Sequence, residues 1–154
     1  MRLGISSYCL DREIENGILT LDEAIDWAAK YGAECMELVP FAFRFDDEVT
    51  GKIDLAKIAA VKKRAKDAGL ALVNYSVLAD FCKEGEDLEK EIARVCHHVD
   101  IAAELGVPRM RHDVTAFRRP LNQNTLKDFD RWLPVLAESA KRVTEHAKKL
   151  GVMT

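Results

Sequence analysis

Long apolar runs are missing from this sequence. No stretch approaches the roughly 18 residues that cross a bilayer, and "MRLGIS" passes straight into strand-like sequence with no apolar signal core. The expectation is a cytoplasmic protein without a membrane partner. Paired cysteines are missing as well. Cys9, Cys35, Cys82 and Cys96 are scattered without a C-x-x-C, which argues against a disulfide framework or zinc knuckle and for reduced, mostly buried thiols. There is no excess of positive charge: 23 Lys and Arg face 26 Asp and Glu, for a formal net charge of -3. Nucleic acid is therefore not an expected partner. Phosphate-cradling loops are absent too, since neither G-x-G-x-x-G nor G-x-x-x-x-G-K-S/T occurs. What is present is 154 residues, 48% hydrophobic and 32% charged, enough for one domain, residues 1–154, with a real core.

The chain carries a repeat. "AAKYGAECMEL", "AKDAGLALVNY", "AAELGVPRMRH" and "AKKLGVMT" share Ala-x-x-x-Gly before an apolar stretch, with glycines at 32, 69, 106 and 151, spaced 37, 37 and 45 residues apart. Each glycine follows an amphipathic pattern and precedes a short β-rich run, the position of a left-handed helix cap. Leu55, Ile58, Val61 and Ala65 form one helical stripe. Ile92, Val95, Val99 and Ala102 form a second, and Phe129, Trp132, Leu136, Val143 and Ala147 a third. Thr20 with Glu23, Asp54, and Thr125 with Asp128 mark helix starts. The intervening runs "LGISSY", "CMELV", "LALVNYSV" and "RMRHDV" suit strands of a parallel sheet. Four regular strand–helix units of this length predict an α/β fold that is half of a (β/α)₈ barrel, and "GVMT" reads as the start of strand five.

In such a barrel, chemistry sits at the carboxyl ends of the strands. Strand one ends in Ser6, Ser7 and Tyr8, strand two in Glu37, strand three in Asn74, Tyr75 and Ser76, and strand four in Arg111, His112 and Asp113. Glu37 in "CMELVP" can accept substrate hydroxyls or hold a divalent cation, or it can pair with a neighbouring Arg111. Strand alternation sends Arg111 and Asp113 one way and His112 the other. His112 is either an acid/base group or ligand at neutral pH, or a hydrogen-bonded loop histidine. Arg118 and Arg119 in "FRRPLNQN" can bind a phosphate or carboxylate of a sugar-like substrate, or solubilise a loop. His97, His98 and His146 fall inside helices and are expected at the surface or an interface. "FDDEVTGK" and "KEGEDLEKE" are read as solvated charge.

With "LGISSY" at the start, "AAKYGAECMELV" and "HHVDIAAELGVPRMRHDVT", the sequence resembles the sugar phosphate isomerase/epimerase proteins of the xylose isomerase-like barrel superfamily. The likeness extends over the whole chain and over the amino-terminal half of a family member. It implies proton transfer beside a carbonyl of a sugar or sugar phosphate, with Glu37 and His112 as catalytic candidates. Tyr8, Asn74, Ser76, Arg111, Asp113, Arg118 and Arg119 are the candidates for substrate binding. It also implies a divalent ion, Mn, Mg, Co or Zn, whose first ligand, a glutamate, comes at the end of strand five. The chain alone is thus expected to bind no metal and to be inactive. The endonuclease-like branch has histidines after strands three and four, and strand three here offers "NYSV", so a phosphoesterase is the more distant alternative. A non-catalytic half-barrel that binds or assembles is the other. A half-barrel with inward Ile5, Met36, Val73 and Met110 is further expected to form a homodimer.

Overall fold

The computed structural model describes residues 2–116 and 119–154. Four parallel strands, β1 (Gly4–Ser6), β2 (Cys35–Leu38), β3 (Ala71–Val77) and β4 (Met110–His112), lie in one sheet in the order β1-β2-β3-β4. The helices are α1 (Asp11–Glu15), α2 (Leu21–Lys30), α3 (Leu55–Asp67), α4 (Gly85–Leu105) and α5 (Leu126–Lys149). Sequential parallel strands with helical crossovers make this half of a (β/α)₈ barrel. The first crossover departs from the expected single helix. A 3-10 turn at Ser7–Leu10 leads into α1, which ends at Asn16, and Gly17 at φ 69° turns the chain toward α2.

The helix boundaries follow local chemistry. Thr20 and Glu23 form a reciprocal capping box on α2, Thr125 and Asp128 form another on α5, and Asp54 accepts from the Lys57 amide at 2.9 Å to cap α3. At the other ends Gly32, Gly69, Gly106 and Gly151 all have φ between 73° and 90°, a region costly for any residue with a Cβ. After Gly151 the chain rejoins the sheet. The Met110 amide donates to the Met153 carbonyl at 2.9 Å and the Met153 amide to the Pro108 carbonyl at 3.1 Å, so "GVMT" forms an isolated parallel bridge, Arg109 with Met153, beside β4.

The core lies between sheet and helices. Ile58, Val61 and Ala65 of α3, Val95 and Val99 of α4, and Val143 and Ala147 of α5 are buried there, each large side chain worth about 1.5–3 kcal/mol of burial. Two stripes are only partly used, because Leu55 and Phe129 remain exposed. Met36 and Met110 belong to this core, exposed by 0% and 3%, and Ile5 packs against it. This corrects the expected inward placement of Ile5, Met36 and Met110. Their adjacent residues Ser6, Glu37 and Arg111 take the other face, as a period of two requires. Val73 is the extra residue of β3 where the register with β2 shifts between Met36 and Glu37. Ile5, Met36 and Met110 therefore cannot form the apolar dimer contact assigned to them. The thiols also differ from expectation: all four are free, Cys9 is exposed, and the other three are half-buried. No helix among the described residues is long and apolar enough to cross a membrane.

Candidate active site

The sheet face turned away from the helices is polar at the strand ends. β1 brings Ser6 level with Glu37 of β2, and Glu37 lies level with Asn74 of β3. One step further along, Ser76 lies level with Arg111 of β4. Hydrogen bonds knit this row together. Ser76 Oγ donates to Glu37 Oε1 at 2.5 Å, and Asn74 Nδ2 donates to the same oxygen at 2.8 Å and to Ser76 Oγ at 2.8 Å. Burial raises the proton affinity of Glu37, but the Ser76 and Ser6 hydroxyls, the Asn74 amide and the Arg111 charge outweigh it, so its pKa falls below the ordinary carboxylate value. Glu37 is an ionised acceptor at neutral pH.

Arg111 does not bond directly to Glu37. Its Nη1 lies 3.5 Å from Asp113 Oδ1, so the expected alternation of Arg111 and Asp113 holds while the Glu37 partnership is one of longer-range charge. Ser7, on the opposite parity from Ser6, is structural: its buried hydroxyl accepts from the Val39 amide at 2.8 Å and ties the exits of β1 and β2 together. Tyr8 is 61% exposed and meets Phe41 edge-to-face at 5.6 Å, above the same two exits.

His112 is separate from the Glu37 row. Its Nδ1 lies 2.8 Å from the Asp113 carbonyl oxygen, and a carbonyl can only accept, so Nδ1 carries a proton and, in the neutral ring, Nε2 holds the lone pair. The ring packs edge-to-face on Phe81 at 5.7 Å. His112 lines a cavity of about 520 Å³ together with Asp113, Thr115, Arg119 and Asn124. Arg119 also approaches the face of Trp132, 6.0 Å from the ring centroid. Arg118, its expected companion, lies outside the described residues. The candidate residues thus form two neighbouring groups: a carboxylate row across the strands, and a histidine–arginine cavity beyond β4.

Sequence reasoning missed the charged residues that shape this rim. Glu91, inside the supposedly solvated "KEGEDLEKE", is 8% exposed. It accepts from the Asp80 amide at 3.0 Å, from Lys83 Nζ at 3.2 Å and from Arg94 Nη2 at 2.9 Å. Asp46, inside "FDDEVTGK", pairs with Arg44 and with His97 Nε2, each at 3.1 Å. The helix histidines are half-buried and partnered rather than simply superficial: His98 Nδ1 meets the Tyr75 hydroxyl at 3.1 Å and His146 Nε2 meets Asp100 at 2.7 Å. An alternation of charge within one segment carries no mark of partners 46 or 51 residues away.

Among the described residues no group of three or more His, Cys, Asp or Glu side chains could hold a metal ion. The donor set on this face does not fit the divalent ion that the resemblance implies.

The xylose isomerase-like TIM barrel family model matches residues 25–153. No curated protein matches the sequence significantly. Among solved structures, a sugar phosphate isomerase/epimerase from Parabacteroides distasonis is similar at TM-score 0.65 and 23% identity, with 97% of this chain and 48% of that one covered. D-Psicose 3-epimerase from Clostridium cellulolyticum, solved with D-tagatose, is similar at TM-score 0.74 and 19% identity, covering 99% and 50%. A xylose isomerase-like protein from Rhodospirillum rubrum gives TM-score 0.73 at 14% identity, covering 99% and 52%. The chain spans about half the length of each of these structures. At these identities the likeness is one of fold.

Proposed function

Because the chain belongs to the xylose isomerase-like TIM barrel family, we propose that its polar sheet face is the amino-terminal half of a site for isomerising or epimerising a sugar or sugar phosphate. In this reading residues 1–154 are one domain, and the activity belongs to the site completed by a second half. The observation that carries it is the Glu37 row: one ionised carboxylate, held by the Ser76 hydroxyl and the Asn74 amide and level with Ser6, at the strand ends of a barrel sheet.

Each group has a role set by its chemistry. Glu37, with its proton affinity lowered, is a poor base and a strong acceptor, so it orients a substrate hydroxyl rather than abstracting a proton. His112, with Nδ1–H fixed on a carbonyl and Nε2 carrying a lone pair, is the acid/base candidate beside the substrate carbonyl. Arg119 in the adjoining cavity takes an anionic substituent such as a phosphate, and Tyr8 closes the rim above the β1 exit. Arg111 and Asp113 set the field between the two groups. A divalent ion, if the completed site holds one, polarises substrate oxygens; the described residues do not fit one, and none of the roles above passes through it. A second copy is a candidate for the completing half, pairing along the backbone edge of β1 rather than through apolar side chains.

The test is binding by the folded chain. Titration with D-tagatose and with D-fructose 6-phosphate, followed by amide NMR shifts, should perturb Ser6, Asn74, Ser76 and the His112–Thr115 segment. Glu37→Gln should weaken binding about tenfold or more, since a hydrogen bond to a charged group is worth about 1.5–3 kcal/mol. Shifts confined to other faces, or equal affinity in Glu37→Gln, would overturn the assignment.

A further inference from the structure

We infer that Glu91 and Arg94 of α4 are positioning residues that hold His112 in its working orientation through the β3–α4 loop. The inference rests on the reading of His112 as the acid/base group, and it starts from a feature that reading does not use. A carboxylate 8% exposed, Glu91, sits near the start of a long amphipathic helix. A buried charge persists only where it is fully partnered, and the partners of Glu91 have a direction. Besides Arg94 on its own helix, Glu91 Oε1 accepts from the Asp80 backbone amide at 3.0 Å and Oε2 from Lys83 Nζ at 3.2 Å. Arg94 Nη2 donates onward to the Leu78 carbonyl at 2.6 Å. The pair therefore grips the loop at residues 78, 80 and 83, from both sides of Phe81.

Phe81 is the link to the site. It is fully buried, its ring meets the His112 ring edge-to-face at 5.7 Å, and its amide donates to the Val114 carbonyl at 2.9 Å. His112 itself is fixed by its Nδ1 bond to the Asp113 carbonyl. One side of the ring is thus set by Phe81 and the tautomer by a backbone segment that Phe81 also holds. Between them the Asp80, Phe81 and Val114 contacts join α4 to the wall of the 520 Å³ cavity. Desolvation opposes the charge on Glu91, but Arg94, the Asp80 amide and Lys83 overcome it and lower its pKa to about 2, so the grip is intact across the physiological range. Releasing it frees the loop, lets the Phe81 ring and the Val114 bond relax, and lets the imidazole sample its other tautomer.

The experiment reads His112 without substrate, so its outcome does not depend on whether the chain binds a sugar. In uniformly ¹⁵N-labelled folded chain, the His112 ring nitrogens should report the Nδ1–H tautomer at pH 8, and the Phe81 amide should exchange slowly. Glu91→Ala should mix the two tautomers and speed Phe81 amide exchange about tenfold or more, while amides of α3 change little. Glu91→Gln, which keeps an oxygen for the Asp80 amide but loses the charge, should restore part of the protection. If Glu91→Ala does not fold, Glu91→Gln and Arg94→Lys are read by the same two signals. A merely structural role would speed exchange in α3 and at Phe81 alike and leave the tautomer unchanged. That result, or unaltered His112 and Phe81 signals in the folded variants, would overturn the inference. A chain that fails to bind sugars while these signals move would instead sink the proposed function and leave the positioning role standing.

Discussion

The placement of the candidate residues on the strands depends on strand parity, and β4 offers a direct test of it. Met110 is 3% exposed and packs among the helices, whereas the Arg111 side chain is 61% exposed on the opposite face. Met110→Ala removes buried atoms from a core that can collapse only partly, at a cost of about 2–5 kcal/mol. For a chain of this length each kcal/mol lowers the melting temperature by roughly 2–4 °C, so a fall of the order of 10 °C is expected. Arg111→Ala should stay within about 0.5 kcal/mol, because its ion pair with Asp113 is solvated. Urea unfolding followed by far-ultraviolet circular dichroism, at two protein concentrations a hundredfold apart, separates packing within the chain from packing between copies. The Met110→Ala loss should be independent of concentration. If Arg111→Ala costs more than Met110→Ala, or if the Met110→Ala loss vanishes at high concentration, the strand faces the other way and the Glu37 row is not on the open side.

Two further outcomes follow from the helices. Burial, with help from the charges of Arg94, His97 and Arg44 against the opposing Asp46, lowers the His98 pKa from 6.5 to about 4. The unfolded chain therefore binds a proton that the folded chain refuses as pH falls from about 6.5 to about 4, and stability should drop over that window by up to about 3 kcal/mol; His98→Gln should lose this component of the pH dependence in urea melts at pH 7.5 and 4.5. Gly106 caps α4 at φ 73°, so Gly106→Ala should cost about 1–2 kcal/mol through the left-handed backbone alone, measured as a lowered melting temperature with unchanged spectra.

The repeat was legible because its signals are local. A glycine with positive φ at the end of each amphipathic stretch, or Thr20 with Glu23 at a start, is decided within four or five residues, and the structure keeps each of them. Polar strand ends were legible for a related reason: a sheet buried on one side by helices leaves polar groups only where the chain exits or where the face is open. Parity was written in the sequence too, but a reading that places Met36 and Glu37, or Met110 and Arg111, on the same inward side breaks the period of two that the strands must obey. What no local pattern carries is the pairing of distant charges. Glu91 accepts from the Asp80 backbone amide and Lys83, and Asp46 reaches His97, only after the loops fold back on α4, so both acids read as solvated until the helix is placed against the sheet.

Parity also bears on how a half-barrel can stand at all. If Ile5, Met36 and Met110 lined the open side, the sheet would present an apolar face to water, and association would be forced by burial. Instead that side carries the small residues Gly4, Cys35 and Ala71 at its start and Ser6, Glu37, Asn74, Ser76 and Arg111 toward the strand ends, groups that leave no large apolar patch, while the methionines strengthen the helix-side core. Any completion of the ring, as proposed above, would therefore be driven by unpaired strand edges rather than by exposed apolar side chains. In the proposed reading, a second half would bring backbone partners for β1 and any metal ligands, since no group of three or more His, Cys, Asp or Glu side chains among the described residues could hold a metal ion. A partner selected only for apolar contact would bury Glu37 and Arg111 without satisfying them, at a penalty larger than the contact could offset, so the completing face has to be polar as well.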